Sequence, residues 1–136
     1  MSEMSRRAAK PVGAYSHAKR AGNLLFLAGI GPRTRETNEI PGLKLDPSGK
    51  ILSYDFRAQC QAVFQNVRYV LEDCGSSWEK IVDVLVFLTD MKADFPVFNE
   101  MWGQHFGQIQ PTRTTIEVTS LPTPIAVELK VTATID

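Results

Sequence analysis

The sequence predicts an α+β domain in which two helices cover one face of a mixed β-sheet. Three observations lead there. Residues 55–74 place apolar side chains at helical spacing, residues 24–28 and 81–88 are short and strongly apolar, and residues 125–135 alternate with a period of two. Strand segments outnumber helical ones, and their order suits a mixed sheet.

In chain order, residues 1–10 are polar and basic with no apolar stretch, and read as a flexible tail rather than a signal peptide. Gly13 to His17 leads into a hairpin turned by Gly22-Asn23, and Leu24-Leu25-Phe26-Leu27-Ala28 reads as a strand buried on both faces. Residues 33–49 hold the turn signals Pro41-Gly42 and Asp46-Pro47-Ser48-Gly49, so a long loop with a small hairpin is expected. A loop of that length in a small domain is usually functional.

The helix from Asp55 to Cys74 carries Phe56, Cys60, Val63, Phe64, Val67, Val70, Leu71 and Cys74 on one stripe, with Gly75 at the C′ position. Ile81 to Leu88 is the next strand. Asp94 is expected to cap a shorter helix, Phe95 to Phe106, with Pro96 in its first turn. Arg113 to Val118 and Ile125 to Ile135 complete the sheet, separated by Leu121-Pro122-Thr123-Pro124. The bare face of that sheet needs a cover, and sister subunits are the economical expectation.

Composition narrows the function. The 136 residues suffice for one domain spanning 1–136, and 15 basic residues balance 15 acidic ones. A chain without net charge lacks the footprint of a nucleic-acid binder, and no apolar run approaches a membrane span. A cytoplasmic protein is expected. Cys60 and Cys74, 14 residues apart on one helix, are separated by roughly 21 Å, too far for a disulfide. Gly29-Ile30-Gly31 runs into proline and polar loop, so it is no dinucleotide fingerprint. His17 and His105 lack further ligands at metal spacing, and there is no Gly-x-Ser-x-Gly elbow. Neither a metal nor a cofactor is expected.

Arg113 and Glu128 remain. One reading makes them rungs of a solvated charge ladder with Glu117 and Lys130. The other makes a pocket in which Arg113 anchors a carboxylate and Glu128 orients or deprotonates a water. Pattern alone leaves both open. Tyr15 could close such a pocket with its ring and hydroxyl, whereas Asn99, Trp102 and His105 read by default as solvated or packing residues.

A set of short markers decides between them. Gly13-Ala14-Tyr15, Leu27-Ala28-Gly29, Asn66-Val67, Val86-Phe87-Leu88-Thr89-Asp90-Met91, Phe98-Asn99, Pro111-Thr112-Arg113 with Glu117-Val118, Leu121-Pro122 and Glu128 occur in this order. Together they resemble the Rid (YjgF) family of reactive enamine/imine deaminases over about residues 11–134. The resemblance implies a chorismate-mutase-like fold and a homotrimer with active clefts between subunits, the pairing of trimers into hexamers being left open. It implies Arg113 as carboxylate anchor and Glu128 as holder of the hydrolytic water, with Tyr15 and Asn99 lining the cleft.

Ser16-His17-Ala18, Ile30-Gly31-Pro32-Arg33, Glu39-Ile40-Pro41-Gly42 and Thr114-Thr115-Ile116 are most similar to the branch that deaminates 2-aminomuconate. Many relatives carry serine at Ala28, glutamine at Ile30, cysteine or serine at Thr115 and glutamine at His17. These departures suggest a retuned pocket, with Ile30 and Thr115 among the residues facing substrate. The implied reaction is hydrolysis of 2-aminomuconate to 4-oxalocrotonate (2-hydroxymuconate) and ammonia in aromatic-compound degradation. Arg33, or Arg35 beside it, is then the candidate for a distal carboxylate, and His17 for moving the tautomer's proton. The alternatives are a broad 2-imino acid deaminase and a non-catalytic protein binding small ligands in the same clefts.

Overall fold

The computed structural model describes residues 1–136. Eight strands, β1 (Ser2–Glu3), β2 (Ala18–Ala21), β3 (Leu24–Leu27), β4 (Lys44–Leu45), β5 (Ile51–Ser53), β6 (Ile81–Leu88), β7 (Thr112–Glu117) and β8 (Val127–Thr134), combine with two helices, α1 (Phe56–Asp73) and α2 (Met91–Phe106). Six strands form one sheet in the order β1-β2-β3-β8-β6-β7, and β4 and β5 form a separate hairpin. Only β6 and β7 pair in parallel, with α2 as the crossover between them. The expected mixed sheet with two helices is therefore present.

Helix α1 ends as its sequence predicts. Asp55 accepts from the Ala58 N–H at its start. At its end Gly75 takes a φ of +91° while the Ser76 N–H returns to the Leu71 carbonyl at 2.8 Å. All of its expected apolar stripe is buried, in one cluster of 26 core residues. The same burial pushes the Cys60 and Cys74 thiols up to about 12 and about 11, so neither offers a thiolate at neutral pH.

Helix α2 starts earlier than expected. Asp90, not Asp94, caps it by accepting from the Ala93 N–H at 3.1 Å. The Glu117 carboxylate adds a second acceptor for the Met91 N–H. Asp94 instead lies buried inside the helix, where the Tyr54 hydroxyl donates to it at 2.6 Å. A local cap signal was thus outcompeted by a tertiary partner 40 residues away.

Two further expectations are corrected. Strand β3 is not buried on both faces: Leu25 and Leu27 face the core, but Phe26 is 39% exposed. Residues 1–10 do not hang free. Ser2 and Glu3 pair with Lys19 and Ala18, Ser5 and Ala8 are buried, and Arg7 bridges Asp73 at 2.6 Å. The segment's few apolar side chains follow no strand or helix period, and its attachment runs mainly through backbone groups and Ser5, which leave no apolar pattern.

Candidate active site between two sheet faces

Sheet register divides the chemistry. Arg113 stands opposite Val84, which pairs onward with Val131, and both valines are fully buried beneath the helices. Glu128 pairs with Phe87 and Lys130 with Leu85, on the opposite, helix-free face. Arg113 and Glu128 therefore point to opposite sides of one sheet. The alternative charge ladder does not form, because Glu117 shares the helix side and is engaged at α2.

On the helix side, β7 is the outermost strand, so Arg113 meets α2 rather than a further strand. Its Nη1 donates to the Asn99 Oδ1 at 3.0 Å. Its guanidinium lies 4.9 Å from the Trp102 ring centre and 5.6 Å from that of Phe95. Phe95, Asn99 and Trp102 are spaced i, i+4, i+7 and present one helical face to the arginine. That aromatic wall was legible in the spacing but read as packing. Burial holds the Arg113 guanidinium below its ordinary value, yet it stays charged, with part of its fork free for an anion. Thr115, two residues along the same side, keeps a buried Oγ1 with no hydrogen-bond partner.

On the bare side, β8 aligns with the exit of β3. Ile30 exchanges backbone hydrogen bonds with Leu129 at 2.8 and 3.0 Å, and its side chain joins the core while the residue also lines the small cavity described below. This pairing turns Gly29 toward Glu128. A Cβ at Gly29 would stand 2.5 Å from Glu128 Oε2, so the carboxylate occupies the space that glycine leaves open. Burial raises the Glu128 carboxyl above the usual carboxylate range.

Next to Gly29 is a cavity of about 30 Å³, room for a water or two, walled in part by Tyr15, His17 and Arg33. Tyr15 is 46% exposed; its oxygen accepts from the Val12 N–H, leaving its own proton to donate. His17 is 2% exposed, with Nδ1 accepting from the Ser5 N–H and Nε2 donating to the Ala9 carbonyl. Both ring nitrogens thus hold the N-terminal segment in place. Asn66 of α1 donates to the Gly31 and Arg33 carbonyls, which fixes the start of the long loop. Arg33 is engaged by Asn38 and by the Lys10 carbonyl, and Arg35 by the carbonyls of Ser5 and Ala8. No group of three or more His, Cys, Asp or Glu side chains comes close enough to hold a metal ion.

Residues 5–135 match the family model described as endoribonuclease L-PSP. A RutC family protein of Pyrococcus horikoshii is 37% identical over 127 residues, 93% of this chain and 90% of that one. The chloroplastic reactive intermediate deaminase A of Arabidopsis thaliana is 30% identical over 95% of this chain and 63% of its own length. Among solved structures, RidA from an Antarctic Psychrobacter superposes with a TM-score of 0.85 at 29% identity, covering 99% of each chain. Escherichia coli TdcF with bound serine gives 0.84 at 27% identity, covering 100% of this chain and 99% of that one.

Proposed function

Since the chain belongs to the endoribonuclease L-PSP (YjgF/RutC/Rid) family, which includes reactive intermediate deaminases, we propose that it hydrolyses an enamine or imine carboxylate, with 2-aminomuconate as substrate. The observation that carries this reading is the pairing of two half-buried groups with complementary tasks. Arg113 is a cation set against an aromatic wall with donors to spare, and Glu128 is a carboxylate of raised basicity packed against Gly29, which also lines a water-sized cavity.

The chemistry follows from those tasks. The enamine tautomerises to its imine as a proton reaches the far end of the conjugated chain. Arg113, steadied by Asn99, pairs with the carboxylate next to the imine carbon and fixes that carbon in place. Glu128 takes a proton from water as the oxygen bonds to the imine carbon, giving a carbinolamine. Return of that proton to nitrogen makes the amine a leaving group, and the C–N bond breaks as the carbinol hydroxyl gives its own proton to Glu128, releasing ammonia and leaving the carbonyl. A protonated imine is already a good electrophile, so positioning and modest acid–base help are enough. Tyr15 supplies a hydroxyl donor at the cavity wall and Thr115 an unspent hydroxyl beside Arg113, while Arg33 lines the same small cavity as Tyr15. His17 serves by holding the segment behind Tyr15.

Because Arg113 and Glu128 sit on opposite sheet faces, one chain does not complete the cleft. Closure requires two copies, the Arg113 edge of one laid over the Glu128 face of another. The exposed apolar groups Phe26 and Ile116 on that face favour such a cover, and a cyclic trimer satisfies every subunit alike. Balanced charge disfavours an RNA substrate, despite the nuclease in the family description.

The test is ammonia release by chelator-treated protein offered 2-aminomuconate and a simple 2-imino acid side by side. Turnover of the muconate supports the reading. Turnover of the imino acid alone demotes the substrate to a generic imine, RNA cleavage in its place points to the nuclease, and silence throughout leaves a small-ligand-binding protein.

A further inference from the structure

Lys130 is a half-buried cation for which neither the fold nor the reaction above has a use. It lies on the same strand and the same face as Glu128, about 6.5 Å further along. Its ammonium donates to the Leu27 carbonyl, which leaves two N–H groups unspent. It belongs to no ion pair; those of this chain join Arg7 to Glu72 and Asp73, and Arg57 to Glu100. Burial holds the ammonium below its ordinary value, a cost that a bound anion would reverse.

The surroundings suit an anion with a flat body. Lys130 borders a cleft of about 420 Å³ whose walls also carry Lys19, Tyr15, Ser16 and Phe26, and no acidic side chain. Tyr15 and Ala28 line both this cleft and the small cavity beside Gly29, so the two spaces adjoin near the glycine against which Glu128 packs. The loop arginines are less available. Both terminal nitrogens of Arg33 are occupied, one by Asn38 and one by Lys10, and Arg35 secures two carbonyls of the N-terminal segment.

We infer that Lys130, with Lys19 at the rim, is the specificity-determining cation for the second carboxylate of a short unsaturated diacid. The inference rests on the reading of Glu128 as part of the site. Arg113 then takes the carboxylate beside the reacting carbon and Lys130 the remote one, with the conjugated chain passing Glu128 between Tyr15 and Phe26.

Two stable probes isolate that charge. Muconate and sorbate share the same six-carbon diene skeleton and differ in one terminal group, carboxylate against methyl. Calorimetric titration of the wild-type protein should show tighter binding of muconate. Lys130→Met should lower the muconate-over-sorbate preference about tenfold, and Lys130→Arg should keep it. Equal binding of both probes by wild type, loss of both alike in Lys130→Met, or abolition of the preference by Arg33→Ala in its place would each overturn the assignment. Binding requires no turnover. A preference without ammonia release would sink the deaminase reading and leave Lys130 standing; ammonia release without a preference would do the reverse.

Discussion

The carboxylate of Glu128 lies where the side chain of Gly29 would otherwise be, with 2.5 Å between its Oε2 and an ideal Cβ at that glycine. The glycine is thus a spatial condition on the acid. Gly29→Ala forces the carboxylate to swing away or β3 to shift, and real Cβ contacts essentially never come that close. The expected outcome is a drop in kcat of about 10²-fold with the far-UV spectrum unchanged. A crystal structure of the variant should show Glu128 displaced; an undisturbed Glu128 with full activity would refute the relationship.

Glu128→Gln should remove about 10²–10⁴ of kcat. Wild-type kcat/KM needs the ionised carboxylate, so it falls as pH drops through a value above the usual carboxylate range. That acid limb should vanish in the variant. The sign for stability is opposite. A carboxyl whose folded pKa is raised binds more protons folded than unfolded, so its contribution declines as pH rises. Glu128→Gln should therefore melt slightly higher than wild type at pH 7 and no higher at pH 4, read by calorimetry.

Arg113→Lys keeps the charge but loses the planar fork and its contact with Trp102. A fall in kcat/KM of about 10²-fold is expected, with Arg113→Ala lower still. Full rescue by lysine would show that only charge matters there.

The opposed faces give a quantitative test of the shared cleft. Arg113→Ala and Glu128→Gln chains, each inactive alone, should regain about a quarter of wild-type activity when unfolded and refolded together in equal amounts. One cleft in four then combines an intact Arg113 with an intact Glu128. No recovery would place both residues of a working site on one chain.

Tyr54→Phe removes the hydroxyl that donates to buried Asp94, an interaction worth about 1–3 kcal/mol to a group otherwise unpartnered. Burial already raises the Asp94 carboxyl, with the tyrosine opposing the rise. Without it the folded value climbs further, so the variant's deficit in urea denaturation should be larger at pH 7 than at pH 4.

Much of this was readable in the residues because it is local. The α1 stripe and the alternation of β8 follow from side-chain period, and both were expected within a residue or two. The two roles proposed for Arg113 and Glu128 came from marker order, not from period. What escaped depended on register and on partners distant in sequence. That Arg113 and Glu128 face apart is fixed by how β6 lies between β7 and β8, which neither strand's own sequence encodes. Asp94 lost its capping role to Tyr54, and the N-terminal segment is held by His17 and Asp73 through contacts with no periodic signature. Lys130 looked like a solvated rung because alternation reports which face a residue takes, not what that face meets.

The strand that carries Arg113 pairs on one side only, through the single parallel ladder of the sheet, and most of its residues are exposed. Such margins fray first, so amide exchange in β7 should outpace that in β8, which has a partner on each side. A neighbour pressed against this margin would damp the fraying, and dilution below the dissociation constant would restore it. Heat and dilution should then silence the protein while its core is still folded, making the anchoring arginine an early casualty rather than a companion of global melting.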